Sequence, residues 1–161
     1  MALILSIESA TKNCSVALAA DGEVISLKEL HEEKFSHAEK LHSFILEVMA
    51  SSDRKLAELD AVAVSKGPGS YTGLRIGVSA AKGLCYALEK PLISVPTLES
   101  LARQIEMTEK GLIVPLLDAR RMEVYSAVYN DHFEEIRETR AEIIEAGSFS
   151  DYLNDNKVFF L

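Results

Sequence analysis

The stretch LILSIESATKNCSVALAAD (residues 3–21) decides the fold, because its pattern returns later in the chain as IVPLLDARRMEVYSAVYND (residues 113–131). In each copy an apolar strand ends in an acid, Glu8 or Asp118, a polar turn follows, and a second apolar strand ends in Asp. The two copies align without a gap. This agreement predicts a duplicated domain.

The segments that follow the first copy predict an α/β domain. Asp21-Gly22 is a strong two-residue hairpin signal, so three sequential strands are expected at the start. Apolar spacing then predicts alternating helices and strands: a helix over residues 36–50, a strand over 60–65, a helix over 72–88, a strand over 91–96 and a helix over 97–107. We predict a mixed five-stranded sheet with helices packed on it, as a first domain over residues 1–109.

The second copy continues as a second domain over residues 110–161. FEEIRETR (133–140) predicts its third strand, and a helix is expected over residues 141–153. The chain then closes on VFFL (158–161), which has the composition of a central strand. A central strand needs hydrogen-bonding neighbours, so we expect this second copy to be truncated and to lack its last strands and helices.

Composition indicates a folded protein with an acidic surface. The 161 residues are 48% hydrophobic, and the formal net charge is -8 with a pI near 5.0. Without a basic stripe, such a chain is not expected to bind nucleic acid or anionic membranes unaided. We find neither a signal peptide nor a long apolar run, and Cys14 and Cys85 lack metal-site or disulfide spacing. The expected location is cytoplasmic.

The glycine-rich stretch SKGPGSYTGLRIG (65–77) does not match the known phosphate-binding loops. Three residues rather than four separate Gly69 from Gly73, and Leu74-Arg75 follows where a Walker loop has Lys-Ser/Thr. The dinucleotide fingerprint fails as well. Anion binding at the start of the following helix, near Thr72 and Arg75, stays open.

The helix after this loop carries a stripe of Gly and Ala residues beside an apolar face. The combined arc is about 220°, roughly twice what one sheet requires, so we expect burial on two sides. The second neighbour is either the helix over residues 36–50 or a helix of another subunit. The predicted partner-interface residues are Ala38, Leu41, Ile45, Val48, Met49, Gly73, Ile76, Gly77, Ala80, Gly83, Leu84 and Ala87.

The polar residues offer little catalytic chemistry. His37 and His42 are five apart and do not share a helix face, which argues against a metal pair, and no nucleophile elbow is present. Glu8 and Asp118 could face a shared cleft and hold a hydrated magnesium, although glycine-rich turns do not follow them. We predict no catalytic or metal residues. The candidates near a nucleotide or anion are Glu8, Thr72, Arg75, Asp118 and Arg120.

Four segments resemble the TsaB (YeaZ) family of tRNA threonylcarbamoyladenosine biosynthesis. They are ILSIESATKNCSVAL (4–18), GPGSYTGLRIG (67–77), PTLESLA (96–102) and DARRMEVY (118–125). The resemblance implies a duplicated ASKHA, ribonuclease H-like fold. It also implies a non-catalytic subunit that dimerises when alone and binds TsaD, with TsaE as a third member and tRNA bound only through the complex.

The same resemblance places ATP and metal on TsaD and implies no cofactor on this chain alone. TsaD holds its metal with a His-x-x-x-His pair, and the matching stretch here, His37 to Leu41, lacks the second histidine. In the family, the two helices that match residues 36–50 and 72–88 make the homodimer and TsaD contacts. Two alternatives remain: an ATP-dependent ASKHA small-molecule kinase, and a glycoprotease-like metalloprotease.

Overall fold

The computed structural model describes residues 2–31 and 37–161, with the backbone alone for residues 37 and 38. It contains two compact units, Met1–Val95 and Pro96–Leu161, each with its own core. The sequence-based boundary between residues 109 and 110 follows the repeat and stays a prediction about the duplication. By packing, the third helix lies in the second unit, where Leu98 and Ala102 join its core.

The first unit contains the mixed five-stranded sheet that the sequence predicted. Its order is β3-β2-β1-β4-β5, with the first three strands antiparallel and β1, β4 and β5 mutually parallel. The hairpin between β2 and β3 turns at Asp21 and Gly22, both at positive φ, as expected. The strands are β1 (Leu3–Glu8), β2 (Asn13–Ala20), β3 (Glu23–His31), β4 (Ala61–Ser65) and β5 (Leu92–Val95).

Two helices, α1 (His37–Ser51) and α2 (Tyr71–Leu88), pack against this sheet. Alternate residues of β1 point into the core, and Leu5 is fully buried there with Leu41 and Val48 of α1. The apolar side chains that recur at every second residue of β1 and at helical spacing in α1 thus pack together in one layer. Ser36, at which the predicted helix begins, lies outside the described residues.

The second unit has its own sheet, in which β10 pairs with β6, both β6 and β7 pair with β8, and β9 also pairs with β8. Pro115 divides the first strand of the repeat into two short strands, because proline has no N–H for a sheet ladder. The elements are α3 (Thr97–Ala102), β6 (Leu112–Val114), β7 (Leu116–Arg120), β8 (Glu123–Tyr129), β9 (Glu135–Ile143), α4 (Ser150–Leu153) and β10 (Val158–Phe160).

The matching acids of the two copies, Glu8 and Asp118, make the same kind of local hydrogen bond, although the turn after β1 spans residues 9–12 and the turn after β7 spans residues 121–122. Oε1 of Glu8 accepts a hydrogen bond from the Ala10 N–H at 2.6 Å, and Oδ1 of Asp118 accepts one from the Arg120 N–H at 2.7 Å. The parallel pairing of β1 with β4 also has a counterpart in β6 with β10. The two copies therefore agree in topology and in how the turn acid is used.

Two helix predictions were wrong in extent. The helix expected over residues 141–153 is a strand up to Ile143, which pairs with Glu123 of β8, and only Ser150–Leu153 is helical. Gly147 and the left-handed Phe149 separate the two parts. The helix expected to reach Met107 ends at Ala102. Arg103 is the C-cap of this helix, and its guanidinium forms an ion pair with Glu99 one turn earlier.

Candidate partner-binding groove

The glycine-rich loop binds to its own chain. The Ser70 N–H donates to the Ala10 carbonyl at 2.6 Å, and the Ser9 hydroxyl donates to the Gly73 carbonyl at 2.9 Å. A Cβ placed on Gly69 would lie 2.3 Å from the Ala10 oxygen. The glycines are therefore needed because the loop lies directly on the turn after β1.

Ser70 caps the start of α2 with its side chain and its backbone carbonyl. The Gly73 N–H donates to the Ser70 hydroxyl, which caps the helix, and the Leu74 N–H donates to the Ser70 carbonyl. Anion binding near Thr72 and Arg75 stays a prediction. Arg75 stacks over the exposed Tyr71 ring, with 5.4 Å from its guanidinium carbon to the ring centroid.

Two residues of the predicted interface, Gly73 and Gly77, face inward. A Cβ on Gly73 would lie 2.1 Å from the Ser9 carbonyl oxygen, and one on Gly77 would lie 2.1 Å from the Ser9 Oγ. Both glycines are buried, as is Ala81 one turn further on. Their assignment to a partner surface was wrong, because the close contact they permit is with the chain's own first strand and turn.

Four predicted interface residues of α1 are also core residues. Leu41 and Val48 are fully buried, and Ile45 and Met49 are nearly so, all in one cluster with the sheet. They cannot contact a partner in the folded unit, so this part of the prediction was wrong. The side chain of Ala38 lies outside the described part of the chain.

Of the remaining predicted residues, Ile76, Ala80, Gly83 and Leu84 line an open groove of about 710 Å³ on the outer side of α2. Gly83 is exposed, whereas Ile76, Ala80 and Leu84 are half-buried and also pack against the core of the first unit. The polar lining of the groove comes from Thr72, Arg75, Ser79 and His42 of α1. A Cβ added at Gly83 would meet no atom of the described residues within 4 Å, so the groove is open above this glycine. Ala87 is exposed on α2 beyond the groove.

Large apolar and aromatic side chains are also exposed on the two helices that line the groove. Leu46 on α1 is 66% exposed, and Tyr71 and Tyr86 on α2 are 75% and 90% exposed. Aromatic and aliphatic side chains at such exposure, next to a small-residue lining, are typical of protein-binding surfaces.

The two acids of the repeat serve local structure. Oε1 of Glu8 accepts from the Ala10 N–H, and Oε2 accepts a short hydrogen bond from the Ser65 hydroxyl at the end of β4. No group of three or more His, Cys, Asp or Glu residues within 2–31 and 37–161 is arranged to bind a metal. A cleft shared by Glu8 and Asp118 stays a prediction.

A polar cluster on the second unit was not predicted from the sequence. Arg137 Nη2 lies 2.8 Å from Glu142 Oε1, Arg140 Nη2 lies 3.0 Å from Oε2, and the Ser126 hydroxyl donates a short hydrogen bond to Oε1. Burial alone would raise the pKa of Glu142, but hydrogen bonds from Arg137, Ser126 and Arg140 outweigh it and lower the pKa to about 2. In the sequence, the charged residues of β9 follow the pattern of a solvent-exposed strand face, which gives no sign that they form a cluster.

A family model described as TsaD, tRNA N6-adenosine threonylcarbamoyltransferase, matches residues 26–150. Curated relatives named tRNA threonylcarbamoyladenosine biosynthesis protein TsaB are 38% identical in Escherichia coli K12 and 35% identical in Haemophilus influenzae, over 78% and 76% of this chain. The chain belongs to the TsaB family. It spans 54% and 51% of those TsaB relatives, about half their length.

Structures of TsaB-family proteins share this fold. A Pseudomonas aeruginosa protein described as similar to peptidase YEAZ superposes with a TM-score of 0.77 at 26% identity, covering 92% of this chain and 68% of that one. YeaZ from the same organism gives 0.74 at 25% identity, covering 92% and 69%. An activator of 2-hydroxyisocaproyl-CoA dehydratase superposes with a TM-score of 0.50 at 10% identity, covering 88% of this chain and 45% of that one, and this similarity shows the ASKHA-type fold alone.

Among the described residues, no helix has the length and apolarity to cross a membrane.

Proposed function

We propose that this chain is a non-catalytic subunit of cytoplasmic tRNA threonylcarbamoyladenosine synthesis that binds and activates TsaD. The observation that carries the proposal is the open groove on the outer side of α2, whose small and apolar lining consists of exposed Gly83 and half-buried Ile76, Ala80 and Leu84. The membership in the TsaB family supports the same function, because its relatives are named for this biosynthesis.

In this proposal the groove receives a helix of TsaD. Ala80 and Gly83 are small enough for a second helix backbone to approach closely, while Ile76 and Leu84 supply apolar contact area. Alone, the chain would use the same surface to form a homodimer, so TsaD and a second copy would compete for it. TsaE and tRNA would join through the complex, and ATP and metal would be held by TsaD.

Filling the groove tests the proposal. We expect Gly83→Gln to weaken TsaD binding at least about tenfold, because its side chain would occupy the place of the partner helix, a loss of about 1.4 kcal/mol or more. The variant should still fold, since Gln favours an exposed helix over Gly by roughly 0.5–1 kcal/mol. The measurement is the affinity for purified TsaD, together with sedimentation of the chain alone to follow the dimer.

Lys82→Gln is the matched control, because it introduces the same side chain at the preceding exposed position, outside the groove lining. It should bind TsaD as the unchanged chain does. Equal binding by both variants would place the interface elsewhere. ATP turnover by the purified chain alone would instead favour the kinase alternative.

A further inference from the structure

The tip of the β7–β8 hairpin holds three consecutive non-glycine residues in left-handed conformations. Arg120, Arg121 and Met122 have φ values of 71°, 55° and 61°. Arg121 and Met122 form the two-residue turn between the strands, and positive φ at both positions is the geometry that favours Asn-Gly or Asp-Gly. Side chains with a Cβ, and long ones especially, adopt it at an energetic cost.

The same chain contains the relaxed version of this turn. The β2–β3 hairpin turns at Asp21 and Gly22, with φ values of 51° and 89°, and uses the residues that the geometry prefers. The β7–β8 tip therefore keeps Arg and Met in a place where Asp-Gly would fit with less strain. Strain maintained against an available alternative points to a role for the side chains.

Neighbouring residues hold the strained tip in place. The Asp118 carboxylate accepts from the Arg120 N–H at 2.7 Å, and the Met122 carbonyl accepts from the Ile144 N–H at 2.8 Å. The tip is thus held by a residue of β7 and by the residue that follows β9, while the side chains of Arg120, Arg121 and Met122 remain exposed. Met122 is 69% exposed.

The charges at the tip have no ionic partner among the described residues of this acidic protein. Across residues 2–31 and 37–161, neither the Arg120 nor the Arg121 guanidinium contacts a carboxylate or an aromatic ring. Every other arginine does. Those pairs are Arg54 with Glu58, Arg75 with Tyr71, Arg103 with Glu99, and Arg137 and Arg140 with Glu142.

We propose that Arg120 and Arg121 form a contact for the phosphate backbone of RNA, an inference that rests on the proposed function in tRNA modification. Guanidinium groups bind phosphate oxygens in bidentate fashion, and an exposed hairpin tip reaches a backbone without needing an enclosing cavity. Because the net charge of -8 repels a polyanion in general, the contact is local. The RNA is thereby oriented while TsaD carries the catalytic site.

Charge removal is the first test. Binding of an unmodified tRNA transcript is measured for the chain alone at low salt and for its mixture with TsaD. We expect Arg120→Gln with Arg121→Gln to weaken binding at least about fivefold and to lower the salt slope by about one to two, as lost phosphate contacts release fewer counterions. Lys12→Gln, in the matching hairpin of the first unit, should change neither quantity.

Relaxing the turn is the second test, and it asks whether the strained residues serve RNA binding at a cost in stability. Arg121→Asn with Met122→Gly gives the turn its preferred residues, so we expect the unfolding temperature to rise by a few degrees while tRNA affinity falls. A variant that became more stable and still bound tRNA normally would overturn the proposal. So would the absence of tRNA binding by the unchanged chain in both preparations.

The outcomes distinguish this inference from the proposed function. If the chain binds TsaD and the double glutamine variant retains full tRNA affinity, the RNA contact is wrong and the subunit role stands. If the double variant instead loses TsaD binding with unchanged tRNA affinity, the tip is a protein contact and the inference is overturned. Failure of the unchanged chain to bind TsaD counts against the proposed function itself.

Discussion

At the residue scale, Ser9 links the first strand to α2. Its hydroxyl donates to the Gly73 carbonyl, and its Oγ lies where a Cβ of Gly77 would be. The sequence correctly indicated a small-residue side on this helix. It could not tell which neighbour needs that space, because the spacing of glycines is the same for an inner sheet contact and an outer helix contact.

Gly77→Ala should therefore destabilise the first unit. The added methyl would lie 2.1 Å from the Ser9 Oγ, so Ser9 has to move and its hydrogen bond to Gly73 is disturbed. We expect a loss of about 1–3 kcal/mol in the free energy of unfolding, measured by urea denaturation. Gly83→Ala is the control, and it should be neutral or stabilising by up to about 1 kcal/mol. Equal effects of the two changes would contradict this packing of α2.

At the element scale, long periodic segments were predictable and short ones were not. The hairpin at Asp21-Gly22, both long helices and the parallel strands follow from turn chemistry and apolar spacing. The residues after Arg140 were predicted wrongly, because their apolar spacing fits a helix equally well. Pairing of Ile143 with Glu123 decides in favour of a strand, and that contact is not visible in local sequence.

The polar cluster between β8 and β9 should make the stability of the second unit depend on pH. The folded pKa of Glu142 is about 2 against an ordinary 4.5, so its contribution is complete above pH 4.5 and is lost as pH falls towards 2. We expect Glu142→Gln to cost on the order of 3 kcal/mol at neutral pH, and less as the acid titrates.

Thermal unfolding from neutral pH down to about pH 2 measures this, with the difference between the unchanged chain and Glu142→Gln as the readout. Glu138→Gln on the same strand, exposed and without an ion pair among the described residues, is the control and should have little effect. A Glu142→Gln deficit that stayed constant across the titration would show that packing, rather than the carboxylate charge, stabilises the hairpin.

At the scale of the whole molecule, the family and fold could be predicted from the sequence, whereas the partner surface could only be narrowed. Several predicted interface residues belong to the core because a helix that covers a sheet and a helix that also binds a partner have overlapping apolar arcs. In the structure, the burial of each side chain shows which of these residues cover the sheet. This leaves the outer side of α2 as the surface on which the proposed TsaD complex depends.

The contact of Gly73 and Gly77 with Ser9 also bears on how fast a partner binds. With no side chain on these two glycines to separate α2 from the turn after β1, the helix has little room to slide or rotate before an encounter. Docking on its outer side then resembles association of two rigid bodies, with little loss of conformational entropy in this chain. The residence time of the complex would be governed by contacts at the groove, and the encounter rate by charge and orientation.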